Sequence, residues 1–205
     1  MNPPSFRYER ALKKKGFNLV CGIDEAGRGP LAGPVVAAAV IFPSEVRIKG
    51  LRDSKKLTPK KRNILYEQIM KSAESVGVGI VNEKVIDSVN IFNAAFLAMK
   101  AAILELKSAP DHIVVDGRHK IPAITIPQTA VVGGDDICSS VAAASIIAKV
   151  TRDSIMVKLD KRYPGFGFAK HKGYGTARHL ALLKKKGPTP IHRRSYMPVV
   201  EALKS

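Results

Sequence analysis

Only two cysteines, Cys21 and Cys138, occur among the 205 residues, which excludes a disulfide framework and a cysteine-based zinc site. Both lie among apolar or small residues, where cysteine behaves as a small buried hydrophobe, and their scarcity suits a reducing compartment. Long apolar runs are missing too. The opening residues MNPPSFRYERALKKKG lack the apolar segment of a secretory signal, and no apolar run approaches the ~20 residues of a spanning helix. The longest low-charge stretch, 29–43, carries three prolines and two glycines, which no membrane helix would hold together. The expectation is a cytoplasmic protein with no membrane partner.

Acids are the other scarcity. Seventeen Asp and Glu stand against 34 Lys and Arg, a net charge of +17 and a pI near 10.0, which points to a polyanionic partner. The rest of the composition, 45% apolar and 25% charged, is ordinary globular usage and excludes a disordered or fibrous chain. The length suits one domain, 1–205. No internal repeat or low-complexity linker divides it.

Residues 18–22 (NLVCG) form a short apolar run ending at Asp24 and Glu25. The glycine- and proline-rich stretch behind them blocks a helix, so a strand and a sharp turn are expected. Further strands are expected at 35–42, 77–81, 113–115 and 129–132. Thr58 and Pro59 mark a helix start, with Ile64, Leu65, Ile69 and Met70 at helical spacing. A second helix is expected over 90–106, its apolar face including Ile91, Phe92, Ala95, Leu97, Ala98, Ala102, Ile103 and Leu106. A long third covers 137–159, where the alanine-rich VAAASIIAKV would pack closely on a sheet, and a last amphipathic piece spans 176–186. Alternating helices and strands of this kind describe an α/β fold with a mixed sheet flanked by helices.

In a chain so short of acids, four carboxylates stand at strand ends: Asp24 and Glu25 after the first, Asp116 after the fourth, Asp135 after the fifth. Any one of them alone reads as a turn former or helix cap, and Asp136 is expected to cap the long helix. Gathered at the carboxyl ends of parallel strands, four would repel one another unless a divalent cation neutralised them. Oxygen-only ligation points to Mg²⁺ or Mn²⁺. A basic surface around such a pocket describes phosphodiester cleavage, with two ions about 3.5–4 Å apart.

Resemblance adds to this. CGIDEAGRGPLAGPVVAAAVIF from Cys21, DSKKLTPKKR from Asp53, IVVDG from Ile113, GDDICSSVAAASIIAKVTRD from Gly134, HKGYGT from His171 and IHRRSY from Ile191 run in order over nearly the whole chain. Together they resemble the ribonuclease HII (type 2 ribonuclease H) family. That resemblance implies a ribonuclease H fold: a five-stranded mixed sheet with flanking helices, a core over about 17–160 and a small C-terminal helical substrate-binding extension over about 161–205. It implies metal-dependent cleavage of the RNA strand of RNA–DNA hybrids, and cleavage 5′ of single ribonucleotides embedded in duplex DNA, by a monomer holding two Mg²⁺ or Mn²⁺ ions per site. The family's metal-binding carboxylates fall on Asp24, Glu25, Asp116 and one of the adjacent Asp135 and Asp136. Asp135 is taken because it follows Gly134 at the family's usual distance before AAAS. Gly133 stands where the family often has lysine, and Tyr196 where it usually has Phe.

Gly27, Arg28 and Gly29 alone would read as a tight turn. The resemblance makes them a backbone surface for a ribose 2′-OH and a phosphate, with the Arg28 fork beside it, and it places Tyr174 against the sugar that follows the ribonucleotide. Ser54 and Lys55 are the expected DNA-strand phosphate contacts. The neighbouring cations Lys56, Lys60, Lys61 and Arg62, and the runs 13–15 and 184–186, read as general positive field. His171, His179 and His192 lack zinc spacing and lie among basic residues, which favours phosphate contact or structural hydrogen bonding. Ser145 and Lys149, one helical turn apart, read as packing rather than a nucleophile pair.

Two rivals stand beside this reading. Ribonuclease HIII resembles the core but normally adds an N-terminal substrate-binding domain, for which the 23 residues before Asp24 leave no room. The other is a non-catalytic basic protein whose carboxylates merely cap turns.

Overall fold

The computed structural model describes residues 3–204. Helix α1 (Arg7–Lys13) precedes strands β1 (Val20–Ala26) and β2 (Val35–Ile41). A short 3-10 turn (Ser54–Lys56) leads into α2 (Pro59–Ser72), then β3 (Ser75–Val81), α3 (Glu83–Leu104), β4 (His112–Asp116) and β5 (Gln128–Val131). One helical turn, α4 (Gly134–Ile137), precedes α5 (Ser139–Arg162), and α6 (Phe168–His171), α7 (Ala177–Lys186) and α8 (Met197–Lys204) follow.

The five strands lie in the order β3-β2-β1-β4-β5. β2 is antiparallel to both neighbours, while β1, β4 and β5 run parallel, giving the mixed sheet that the sequence pattern predicts. One face, with Cys21, Ile23, Ala37, Ala39, Ile113 and Val115, buries against α3. The other packs Ala38 and Val40 on the small residues of α5 and on Leu65 and Ile69 of α2. Residues 141–148 of α5 are all buried, as their small size suggests. The approach is closest at Gly22, where a Cβ would fall 2.2 Å from the Ser140 carbonyl carbon; only glycine lets α5 start on β1.

Several expectations change. Asp24 and Glu25 do not follow β1 but lie inside it, paired with Ala38 and Ala37. The apolar run ends early because these positions face the site rather than the core. In α2 only Leu65 and Ile69 are buried; Ile64 and Met70 are exposed. α3 starts seven residues earlier than expected, capped by Asn82 on the Val85 N–H at 3.0 Å. It is broken at Asn90 (φ 68°, ψ 165°), whose Oδ1 accepts from the N–H groups of Phe92 and Asn93 and restarts the helix. This turns Phe92 and Leu97 partly outward. By length and composition α3 could cross a membrane, contrary to the sequence reading, yet here it lies along the sheet with Ile86, Ala98, Met99 and Ala102 buried.

Candidate active site

The parallel β1–β4 pairing ends at Ile23 and Val115, so Asp24 and Asp116 are the next residues on two neighbouring strands. Asp135 comes from α4, immediately beyond β5. One carboxylate oxygen from each of the three lies within 4.8 Å of the others. Asp24 and Asp135 are buried. Burial pushes the Asp24 carboxyl well above its ordinary range, and Glu25, Asp116 and Asp135 push it further. Asp135 is pushed up to about 6, first by burial and then by Asp116 and Asp53, against the pull of Lys55.

Glu25, the next residue on β1, stands outside that group of three but close enough for Asp116 to act on it. Burial raises it while Arg28, 3.3 Å from its Oε1, opposes the shift, and Asp116 adds to it. Local bonds orient the others. Asp24 Oδ1 accepts from the Glu25 N–H at 2.7 Å, and Asp116 Oδ1 from the Gly134 N–H at 2.7 Å. Three acids this close, two of them buried, fit a hard divalent cation, whose charge would offset both the burial and the repulsion that raise Asp24.

Asp136 points away from this group. Its carboxylate takes Lys56 Nζ at 2.6 Å, and it does not cap the long helix: α5 has no cap from its own flanking side chain. The cap comes from α1, where buried Glu9 Oε1 accepts from the Ser140 N–H at 2.9 Å. Ser5 pairs with the same stretch, donating to the Ile137 carbonyl and accepting from the Ser139 N–H, both at 3.2 Å. The segment carrying Asp135 is thereby clamped by the N-terminal residues, a role the seven-residue α1 did not announce.

Lys55 projects into solvent with its Nζ 3.7 Å from Asp135 Oδ2. Partial burial lowers its pKa, but Asp53, Asp135 and the other acids outweigh that and hold it above the ordinary lysine value. Ser54 is placed differently from expectation. It is buried, with its hydroxyl 2.9 Å from Ser145 Oγ, so it packs the turn that presents Lys55 instead of facing a phosphate. Asp53 caps that turn on the Lys55 N–H. Ser145 is thus occupied, and Lys149 bonds Asp153 at 2.9 Å, as the packing reading expects.

The turn at Gly27 needs its glycine: φ is +99° and a Cβ would meet Arg152 Nε at 2.0 Å. Its carbonyls are held from behind by two fully buried arginines that sequence reasoning missed. Arg193 donates to Gly27, Arg28, Gly33 and Pro34. Arg152 donates to Pro34, Ala32 and Lys172. Neither has a carboxylate within 4.0 Å among the described residues, and burial first, then Arg193, lowers Arg152 to about 10. Tyr196 adds its hydroxyl, donating to the Arg28 carbonyl at 2.6 Å.

Tyr174 is half exposed beside this turn. A Cβ at Gly29 would lie 3.8 Å from its ring, and Lys149 Nζ is 5.8 Å from the ring centre. Arg28 lies 5.9 Å from the ring of Phe92, a neighbour that sequence reasoning assigned to a helix core. The turn, Tyr174, Lys55 and the carboxylates thus come together. The three histidines are buried or half-buried among Phe166 and Phe168; they bond to backbone, His179 and His192 to each other, and His192 to the Thr189 hydroxyl, not outward.

Comparison with known proteins bears on the family and the fold. Residues 21–199 match the family model described as ribonuclease HII. The chain is 49% identical to ribonuclease HII of Geotalea uraniireducens over 99% of this chain and 94% of that one. It is 52% identical to ribonuclease HII of Caldicellulosiruptor saccharolyticus over 94% and 93%. Among solved structures, ribonuclease H2 of Pyrococcus horikoshii superimposes with a TM-score of 0.75 at 30% identity, over 91% of this chain and 97% of that one. With its five-stranded mixed sheet and its acidic cluster at the strand ends, the chain belongs to the ribonuclease HII family, a family of metal-dependent endoribonucleases.

Proposed function

We propose that this chain hydrolyses the RNA strand of RNA–DNA hybrids and cuts 5′ of single ribonucleotides embedded in duplex DNA, leaving 3′-OH and 5′-phosphate ends. The observation that carries the reading is the close group of Asp24, Asp116 and Asp135, two of them buried and Asp116 partly so, at the strand ends of a chain with net charge +17. Acids held together inside a basic protein suit a cation-bridged phosphate rather than a fold-stabilising role. With Glu25 alongside, they would hold two Mg²⁺ or Mn²⁺ ions. Bound there, such ions supply the Lewis acidity and the activated water that phosphodiester hydrolysis needs.

The chain's own residues supply position. The 27–29 turn offers backbone groups that can approach a ribose 2′-OH, the atom that separates RNA from DNA, while Arg28 and Lys55 offer charge to phosphates. Tyr174 stacks on the deoxyribose that follows the ribonucleotide, with its hydroxyl toward the 2′-OH; a ribose there would crowd the ring. We read the protein as acting as a monomer. We read 1–205 as one domain with its core over about 17–160 and a helical substrate-binding part over about 161–205. Cytoplasmic action suits the two unpaired, buried cysteines.

The test is an end-labelled duplex with one ribonucleotide, beside an all-DNA control and a long hybrid. Metal-dependent cleavage 5′ of the ribonucleotide, with the control intact, is the expected result. Tyr174→Ala should lose most, and Tyr174→Phe part, of this cleavage, with smaller losses on the long hybrid in Mn²⁺. Binding without metal-dependent cleavage would establish the non-catalytic reading instead.

A further inference from the structure

His179 and His192, 13 residues apart, are almost fully buried, and their Nε2 atoms lie 3.0 Å from each other. Proton positions along this pair follow from one backbone group. The Thr189 N–H can only donate, and it points at His192 Nδ1 at 2.9 Å, so Nδ1 is the acceptor, and the Thr189 hydroxyl, 2.8 Å from the same atom, donates to it as well. A neutral His192 then carries its proton on Nε2 and donates it to His179 Nε2. His179 in turn carries its proton on Nδ1, which donates to the Tyr174 carbonyl at 2.9 Å.

The chain closes on itself. Leu31 N–H donates to the Gly173 carbonyl at 2.8 Å, beside Tyr174. At the other end Ala32 forms an antiparallel bridge with His192, and the Gly33 N–H donates to the Ile191 carbonyl. The stretch behind the 27–29 turn is thus bonded to both ends of the histidine link. His171 backs it, its ring stacked on His179 at 4.4 Å between centres, its Nδ1 accepting from the Gly173 N–H. The stacked rings of Phe166 and Phe168 exclude water from the group.

We infer that His179 and His192 are positioning residues that fix Tyr174 against the 27–29 turn and so set the preference for a single embedded ribonucleotide over a long hybrid. The inference rests on the reading of Tyr174 as the residue that senses the RNA–DNA junction. Without the link, the segment before Tyr174 keeps its bonds to Leu31 and Arg152, but its own carbonyl keeps only the local Thr176 N–H. The ring would then sample positions that a long hybrid tolerates better than a single site does. Burial and then His171 lower the pKa of His179, and burial, His179 and His171 lower that of His192 to about 4, in keeping with a neutral pair.

The experiment compares kcat/KM on the single-ribonucleotide duplex with kcat/KM on the long hybrid. His179→Leu should lower that ratio by about tenfold, and His179→Asn, whose amide still donates to the Tyr174 carbonyl, should restore it to within about threefold. In a Tyr174→Ala background His179→Leu should leave the ratio unchanged. If Tyr174→Ala shifts the ratio and His179→Leu does not, the positioning role is wrong while the reading of Tyr174 stands. An unshifted ratio in Tyr174→Ala defeats that reading and this inference with it. Should His179→Leu not fold, ¹⁵N spectra of the unaltered protein at pH 7 decide: protons on His179 Nδ1 and His192 Nε2 are expected, and the opposite tautomers or an imidazolium would overturn it.

Discussion

The Arg193 guanidinium donates to the Gly27 carbonyl at 2.6 Å across 166 residues of sequence, tying the 191–196 segment to the turn beside Asp24 and Glu25. Arg193→Ala would strand several buried carbonyls, a cost on the order of 3 kcal/mol or more. That corresponds to a drop of roughly 6–12 °C in melting temperature for a chain of this size. Arg193→Lys should fall between, since one ammonium cannot fork to the carbonyls that a planar guanidinium reaches. A change below about 2 °C in Arg193→Ala would show that the turn is held without it.

Asp135 and Asp136 are adjacent but differ in surroundings. Asp135 is buried beside Asp24 and Asp116; Asp136 forms a partly exposed pair with Lys56. Asp135→Asn should reduce the rate about 100-fold or more, and Asp136→Asn by less than about fivefold, the worth of one exposed pair. Steady-state cleavage in Mg²⁺ measures both. The reverse order would move the fourth carboxylate by one position.

Much of the scaffold was legible in the sequence because apolar runs and breakers mark buried strands. The carboxylates were legible because acids are rare here and stand where such runs stop. What escaped notice depends on partners distant in sequence. Arg152 and Arg193 read as two more surface cations in a basic chain, and only the folded loop supplies the carbonyls that hold them. Glu9 caps a helix 131 residues away, which no local pattern encodes. Ser54 looked like a neighbour of Lys55 facing the same way, but the 3-10 turn rotates it inward to Ser145. The kink at Asn90 has no apolar signature, so apolar spacing alone assigns Phe92 to a core face.

Lys55 is the best-placed exposed cation at the carboxylate group. Hybrid binding without catalysis, measured in Ca²⁺, should weaken with salt by roughly 0.7–0.9 in log affinity per log salt for each neutralised phosphate. Lys55→Ala should reduce the slope by about one such contact, and Ser54→Ala should leave it unchanged. An unaltered slope in Lys55→Ala would assign Lys55 to the general positive field.

Acid should weaken the fold through His192. Its pKa is lowered from 6.5 to about 4, by burial and then by His179, with His171 adding to it. The folded state therefore takes up the proton less readily than the unfolded chain does. This contribution is complete above about pH 6.5 and is lost as the pH falls toward about 4. It amounts to about 3 kcal/mol. Urea unfolding at pH 7 and pH 4.5 should show a smaller stability loss for His192→Gln than for the unaltered chain; equal losses would mean that His192 does not report this burial.

The central claim is that Asp24, Asp116 and Asp135 form the catalytic metal site, and Asp24→Asn tests it most directly. Burial and three neighbouring acids disfavour the charge on Asp24 when no metal is present, so a neutral amide should leave the metal-free melting temperature unchanged or raise it. The same substitution should abolish cleavage of a labelled RNA–DNA hybrid in Mg²⁺, because the site loses a ligand. A folded Asp24→Asn protein that still cleaves the hybrid at ordinary Mg²⁺ would contradict the account.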